Sequence, residues 1–392
     1  MGTWRFALFN YGFRPFFLLA GLSAAVLVPL WLHIGIHRPP VSGSLPAMYW
    51  HAHEMLFGFV MAAIAGFLLT AVRSSTSARG FRGRPLRVLA MLWLSGRVAM
   101  ASSGAMPFWI TAVGELSLLP AIIALLTPPL FHSPNRNTPL LAVLCLLWAI
   151  DAIFMVGMYR VDAHLAGAAL NLAIDVVLIL ITVIAGRIVP AHTSSALRRR
   201  GDDTRVIRRP WLDTVTIVLM ISVAIVDLIA PQGHLSAAIA TLAALAHAAR
   251  LWSWRSWRTG GDSMLWILHV AYAWLPLGLT LKVLWLYGDV MLAMKWQHAL
   301  TIGAIATMIF AVMTRAALGH TGRPVRAPRA ISMAYVLLIF SALMRVFGSA
   351  VWPHDYPKVL IVAGCGWTLS WLVFVIVYTP ILVGSRADGR PG

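Results

Sequence analysis

Residues 50–72 read WHAHEMLFGFVMAAIAGFLLTAV, in which a tryptophan and two histidines lead into an unbroken apolar run. About 20 consecutive apolar residues cross the roughly 30 Å hydrocarbon core of a bilayer as an α-helix. The stretch is therefore predicted to be a transmembrane helix, with His51, His53 and Glu54 at the end where it enters the membrane. Charged side chains inside a membrane helix cost about 2.5 to 3.5 kcal/mol each, so their presence there indicates a functional site.

The whole chain has the composition of a multi-pass membrane protein. Hydrophobic residues make up 60% of the 392 residues, charged residues make up 11%, and the mean hydropathy is +0.80, which excludes a soluble globular domain. The sequence predicts an all-α integral membrane bundle of twelve helices, forming a single membrane domain over residues 1–392. The predicted spans are 16–36, 50–72, 86–105, 108–130, 139–158, 164–189, 211–230, 234–252, 264–286, 293–317, 330–350 and 358–383.

The arginines predict the orientation of these spans. Four arginine-rich loops follow the second, sixth, eighth and tenth spans, so they all lie on one side of a twelve-span chain. Cytoplasmic loops carry an excess of Lys and Arg, so both termini are predicted to be cytoplasmic. The same arrangement explains the formal net charge of +18 without a nucleic-acid partner, because the arginines are distributed among short inter-helix loops.

Histidine is the main type of candidate metal ligand in this apolar chain, which contains thirteen histidines. The predicted topology sorts the histidines within or beside the spans into an outer and an inner layer, and we expect each layer to serve one centre. The outer layer contains His51, His53 and His298, and the inner layer contains His247, His269 and His320. Helix capping and binding of water are the alternative roles of the inner-layer histidines.

Helical geometry separates the two histidines of the second span. Residues two positions apart on an α-helix differ by about 200°, so His51 and His53 are predicted to face opposite sides. They would serve two centres, or one centre and its hydrogen-bonding shell. Glu54 lies three residues from His51 and is predicted to orient a ligand imidazole as a hydrogen-bond acceptor. Met55 is expected to pack in the core.

Imidazole is the usual protein ligand of haem iron and of copper. Arg250, Arg315 and Arg323 lie near the inner-layer histidines and are predicted to pair with haem propionates, because a guanidinium offers a fork of donors to a carboxylate. The two cysteines, Cys145 and Cys365, lie inside predicted spans and form no Cys-x-x-Cys-His motif. Any haem is therefore expected to be b-type and held without covalent links.

Several further ions fall inside the predicted spans. Because an isolated ion is costly in a bilayer, these side chains are expected to pair with one another. They are Arg97, Glu115, Asp151, Asp175, Asp227, Lys282 and Arg345.

The second and tenth spans resemble each other. His53 is followed five residues later by Gly58, His298 is followed five residues later by Gly303, and each span leads into a loop that contains Gly-Arg-Pro. This similarity is compatible both with an internal repeat and with coincidence. A glycine one turn beyond a histidine would let a flat macrocycle approach the helix, although glycine is also common where membrane helices pack.

Motifs distributed along almost the whole chain together resemble the NnrS family. They are GFRPFF at 12–17, WHAHEMLFGF at 50–59, AGFLLTA at 65–71, GRIVP at 186–190, WILHVAYAW at 266–274, HALT at 298–301 and LGHTGRP at 318–324. The resemblance implies a twelve-span protein of the bacterial inner membrane that contains haem and copper. It also implies a role in the response to nitric oxide and nitrosative stress, associated with denitrification, with nitric oxide as the expected small-molecule ligand.

Three classes of function are compatible with these features. The first is a haem and copper protein that binds nitric oxide, helps to dispose of it, or protects iron centres from it. The second is a membrane redox enzyme with chemistry like that of nitric oxide reductase, but that superfamily expects a His-His dipeptide, which this chain lacks. The third is a twelve-helix secondary transporter, although the loop after the second span lacks the acidic residue of the major-facilitator signature.

Overall fold

A computed structural model describes residues 6–37, 46–75, 81–131 and 138–390, apart from the side chains of 35–37 and 73–75. Over these residues the protein is all-helical, with 83% helix and no strand, which confirms the predicted fold class. The second helix, α2, consists of three consecutive segments. We number the twelve helices in chain order. They are α1 Phe13–His37, α2 Ala47–His53 with Glu54–Val60 and Met61–Ser75, α3 Arg84–Ala101, α4 Phe108–Phe131, α5 Pro139–Arg160, α6 Ala163–Arg199, α7 Pro210–Ile229, α8 His234–Ser253, α9 Ser263–Gly288, α10 Met291–His320, α11 Arg329–Val351 and α12 Pro353–Val383.

Eleven of these helices are long and apolar enough to cross a membrane, so the chain is a multi-pass membrane protein. The remaining one, α3, has 18 residues and carries three arginines. It ends at Ala101, four residues before the predicted end of the third span, and residues 102–106 turn back toward α4. Pro107 then precedes α4, as expected for a proline that cannot continue the previous helix.

Helix α6 is longer than the span predicted for it. The predicted span ends at residue 189, but the helix continues through Pro190 to Arg199. A proline removes one backbone donor, and membrane helices tolerate this loss when neighbouring groups satisfy the freed carbonyl.

The likeness between the second and tenth spans extends to the backbone. His53 ends a short α-helical segment and the π-helix Glu54–Val60 follows it, whereas His298 ends a short segment and the π-helix Ala299–Ala306 follows. A π-helical turn is rare and is frequent at functional sites. The same irregularity after both histidines favours an internal repeat over coincidence.

The chain divides into two compact units, and the predicted single membrane domain stays a prediction. The first unit contains Met1–Ala173, Ala316–Pro324 and Trp371–Gly392, and the second contains Ile174–Arg315 and Val325–Ser370. In the first unit, the Ala7 amide donates to the Val383 carbonyl at 2.7 Å, so the segment before α1 lies beside the end of α12. This contact agrees with both termini lying on one side of the membrane.

Glycines let side chains of neighbouring helices approach closely in both units. In the second unit, a Cβ added to Gly303 would lie 2.4 Å from the Trp274 ring. In the first unit, a Cβ added to Gly58 would lie 2.8 Å from the Arg97 guanidinium. The two glycines that follow His53 and His298 therefore serve helix packing here, as small residues commonly do in membrane proteins.

We predict that Gly66→Ala lowers the thermal stability of the protein, because the added methyl group would lie 2.9 Å from the Phe17 ring at the α1–α2 contact. Overpacking of this kind costs about 1–3 kcal/mol. Gly104→Ala is the matched control, since nothing lies within 4 Å of its added methyl group. The unfolding midpoint in detergent should fall for Gly66→Ala only; equal midpoints would contradict the packing.

Candidate metal centres

His53 lies at the centre of a buried group of ionisable side chains in the first unit. Its Nε2 atom is 3.0 Å from Asp151 Oδ1 and 3.7 Å from Glu115 Oε1. Candidate ligand atoms of the three residues all lie within 4.8 Å of one another, and all three residues are buried. One imidazole nitrogen and two carboxylate oxygens at this separation form a set that can hold a metal ion.

Glu54 and Arg97 complete this group, which we call the His53 cluster: His53, Glu54, Arg97, Glu115 and Asp151. Glu54 Oε1 lies 3.3 Å from His53 Nδ1 and accepts a hydrogen bond from Arg97 Nη1 at 2.6 Å. Arg97 Nη2 donates to both carboxylate oxygens of Glu115 at 2.5 Å. A carboxylate on the second nitrogen of an imidazole is the usual support of a histidine that ligates a metal.

The His53 cluster has an unbalanced charge when His53 is neutral. Three carboxylates and one guanidinium then sum to two negative charges, and every side chain involved is at most 12% exposed. An unbalanced charge is costly in a water-poor interior. One divalent cation would neutralise the cluster, and so would two protons.

Four helices and an irregular turn build the cluster. His53 precedes the π-helix of α2, Arg97 lies on α3, Glu115 on α4 and Asp151 on α5. The His53 ring stacks between the Phe154 ring, at 4.6 Å between centroids, and the Phe57 ring, at 5.1 Å. Two aromatic faces therefore restrict rotation of the imidazole and exclude water from it.

A second buried imidazole, that of His247, lies in the second unit. Its Nδ1 atom is 2.6 Å from the Tyr272 hydroxyl, and that oxygen also accepts a hydrogen bond from Arg250 Nη1 at 3.1 Å. His247 Nε2 is buried and has no hydrogen-bond partner among the described residues. A buried polar atom without a partner costs about 1–3 kcal/mol, so this nitrogen is available to a ligand.

The other predicted histidines have different surroundings. His51 stacks on Trp31 at 4.4 Å between ring centroids, away from the neighbours of His53, as the helical geometry predicts. His269 is buried, with Nε2 2.8 Å from the Thr193 hydroxyl and Nδ1 2.8 Å from the Ser256 hydroxyl. His298 is half-buried at the start of its π-helix, and the exposed His320 contacts Phe13.

The structure divides each predicted triplet of histidines between the two units. His51 and His53 belong to the first unit, and His298 belongs to the second. His247 and His269 belong to the second unit, whereas His320 belongs to the first. Within one unit, His53 therefore joins carboxylates instead of the other outer-layer histidines. The ligand roles of all six stay predictions.

The three predicted propionate-binding arginines also differ from one another. Arg250 is buried, and its Nε and Nη2 atoms both donate to Asp213 Oδ1, at 2.8 and 2.7 Å. Arg315 is half-buried on α10, with Asp262 as its acidic electrostatic neighbour. Arg323 lies beyond α10, and burial lowers the pKa of its guanidinium. A propionate at Arg250 would have to share that guanidinium with Asp213.

Three of the four remaining buried ions, Asp227, Lys282 and Arg345, form pairs or hydrogen bonds, as expected for charges inside membrane helices. In the second unit, Lys282 pairs with Asp227, whose other oxygen accepts a hydrogen bond from the Ser236 hydroxyl at 2.8 Å. Asp175 lies within electrostatic reach of this pair. Arg345, on the π-helix Met344–Gly348, forms a side-chain hydrogen bond with Tyr356.

The sequence predicts Arg97, Glu115 and Asp151 as buried ions but does not by itself connect them with His53. Their depth was the signal that could have done so. Counted from the predicted outer ends of their spans, at residues 105, 108 and 158, they lie eight, seven and seven residues deep. Tyr272 carried no comparable signal, because a tyrosine in an apolar span is ordinary core.

A family model described as NnrS protein matches residues 7–386, which is nearly the whole chain. None of the curated proteins matches the chain significantly.

We predict that Arg97→Met strongly destabilises the protein, because it leaves Glu54 and Glu115 without their cation. Breaking a buried ion pair by removing one partner costs about 3–5 kcal/mol. Arg87→Met is the matched control, since Arg87 is an exposed residue of the same helix. Thermal unfolding in detergent is the measurement, and equal losses in the two variants would show that Arg97 does not balance the cluster.

Proposed function

The chain belongs to the NnrS family, and from this membership we propose that it is a haem- and copper-binding protein of the bacterial inner membrane. The family supports a membrane protein of the nitric oxide response. We propose further that the protein binds nitric oxide, helps to dispose of it, or protects iron centres under nitrosative stress during denitrification. The observation that carries the proposal is the His53 cluster, whose three candidate ligands meet inside the apolar interior.

Copper fits the His53 cluster by the chemistry of the donors and by charge. An imidazole nitrogen with carboxylate oxygens is a donor set that divalent copper accepts, and copper binds most tightly among the divalent ions of its row. His53, Glu115 and Asp151 would be the ligands. A divalent ion would also balance the two negative charges that the cluster carries with a neutral imidazole.

Haem fits the surroundings of His247 by different criteria. A histidine that holds haem would bind its iron through one imidazole nitrogen that has no other partner, and His247 Nε2 has no partner among the described residues. Asp213 is paired with both Arg250 and the exposed Arg208, so this site has no excess negative charge for a bare cation to balance. Haem suits such surroundings better than a bare divalent ion does, because its macrocycle neutralises the charge of the ferrous ion.

When bound, haem iron and copper supply coordination positions for a diatomic gas such as nitric oxide. The side chains of the protein do the rest. Glu54 accepts a hydrogen bond from His53 Nδ1, which directs Nε2 toward Asp151 and Glu115. Arg97 holds both oxygens of Glu115 and so keeps that carboxylate in place with part of its charge offset. Tyr272 holds His247 Nδ1 in the corresponding way.

We predict that His53→Ala abolishes stoichiometric copper and that Glu54→Gln weakens copper affinity about 10–100-fold, the usual cost of losing the support of a ligand imidazole. His164→Ala is the control, because His164 is exposed. Metal analysis and copper titration of the purified variants are the measurements. Full copper in His53→Ala would refute the copper assignment.

We predict that His247→Ala lowers the haem content and abolishes the b-type reduced-minus-oxidised spectrum that shifts on addition of nitric oxide. His234→Ala, at the exposed start of the same helix, is the matched control. Alanine variants of His51, His269, His298 and His320 test the remaining candidates. A wild-type protein with neither haem nor copper would overturn the proposed function altogether.

A further inference from the structure

Arg14, in the GFRPFF motif at the start of α1, is a fully buried arginine, and three of the five N–H donors of its guanidinium have no partner among the described residues. Its Nη1 atom donates to the backbone carbonyls of Leu382 and Gly384, each at 2.7 Å. Its Nε and Nη2 atoms are buried and have no hydrogen-bond partner among the described residues. These two atoms form one edge of the guanidinium, and that edge is the fork that binds two oxygens of a carboxylate or phosphate.

A buried arginine needs an anion, because it cannot lose its proton as a lysine or a carboxylic acid can. The charged neighbours of Arg14 are two further arginines, Arg323 and Arg386. No carboxylate pairs with Arg14 in the part of the chain that the structure describes. The site therefore concentrates positive charge around an unused fork.

The nearby carboxylate of Asp388 is already engaged by Arg386. Arg386 Nε and Nη2 donate to its two oxygens at 2.9 and 2.5 Å, and this hydrogen bonding lowers the pKa of Asp388 to about 2. The Asp388 carboxylate packs against Gly322, where there is no room for a side chain. A Cβ added to Gly322 would lie 2.5 Å from the carboxyl carbon of Asp388. Asp388 is thus engaged by Arg386 and Arg390, and no carboxylate among the described residues pairs with Arg14 or Arg323.

Arg250 supplies an internal comparison. Its Nη1 donates to the backbone carbonyl of Thr182 at 2.9 Å, just as Arg14 Nη1 donates to backbone carbonyls. The Nε and Nη2 edge of Arg250 holds the carboxylate of Asp213. The same edge of Arg14 has no such partner, so Arg14 has the arrangement of Arg250 without its anion.

We propose that Arg14, with Arg323 and Arg386 beside it, binds a phosphate group, supplied by an anionic phospholipid headgroup or by free phosphate. The site lies on the side predicted to be cytoplasmic, because Arg14 is near the start of α1 and its backbone partners Leu382 and Gly384 lie at the end of α12. Basic sites between membrane helices on that side are where lipid phosphates bind. Because Arg14 is fully buried, the structure around it must open for the phosphate to enter.

The proposal is tested with the full-length protein in nanodiscs made of phosphatidylcholine alone or with phosphatidylglycerol. Arg14→Gln removes the charge, Arg14→Lys keeps the charge but removes the fork, and Arg82→Gln removes an exposed arginine from the same end of the first unit. Native mass spectrometry counts retained phosphatidylglycerol. A thermal titration in phosphatidylcholine nanodiscs measures stabilisation by inorganic phosphate.

The wild type and Arg82→Gln should retain phosphatidylglycerol, or respond to phosphate, about tenfold more strongly than Arg14→Gln, with Arg14→Lys close to Arg14→Gln. A response in the lipid arm identifies a headgroup, and a response only in the phosphate arm identifies free phosphate. If Arg14→Gln does not fold, the wild type still decides, because no response in either arm overturns the proposal. Equal retention in wild type and Arg14→Gln also overturns it. An Arg14→Gln variant that loses haem but still binds phosphate overturns it as well. Copper content should not change, which separates this test from that of the proposed function.

Discussion

Charge inside a bilayer has to be balanced by other charge, and this constraint organises the buried polar groups of both units. In the first unit, Arg97 lies between Glu54 and Glu115, and His53 lies between Glu54 and Asp151. In the second, Arg250 is paired with Asp213 and Lys282 with Asp227. Breaking any of these pairs would leave an ion in surroundings that cannot solvate it, so each pair holds its helices in register.

His53 and His247, the two buried histidines proposed as metal ligands, differ in their surroundings. His53 is surrounded by carboxylates that outnumber the one guanidinium, and its nitrogens are both close to oxygens. His247 lies beside Arg250, which shares Asp213 with Arg208, and has one nitrogen with no described partner. An excess of negative charge favours a bare cation, whereas an unused lone pair in surroundings without that excess favours a ligand that carries its own compensation. This difference separates the proposed copper and haem sites.

Arginine has a recurring role in this protein because it stays charged in every environment. Where the chain supplies the anion, as Asp213 does for Arg250, the guanidinium fixes one helix against another. Where no described carboxylate does so, as at Arg14, the same edge of the guanidinium is the proposed binding site for a phosphate group. In the π-helix Glu54–Val60, the Gly58 carbonyl accepts a hydrogen bond from the Trp93 indole of α3 at 3.0 Å, which links the two helices beside the His53 cluster.

The sequence by itself determined the membrane class, the twelve helices and the pairing of the buried ions, because apolar run length and the cost of an isolated charge are local properties of the chain. It also separated His51 from His53, since that angle follows from the helical repeat. Only the tertiary structure decided that His53 joins Glu115 and Asp151 and that His298 belongs to the other unit. Partners from four different helices depend on how those helices rotate and pack, and no pattern along one helix fixes that rotation. The extension of α6 through Pro190 also became visible only in the structure, because a proline in the sequence commonly indicates the end of a helix.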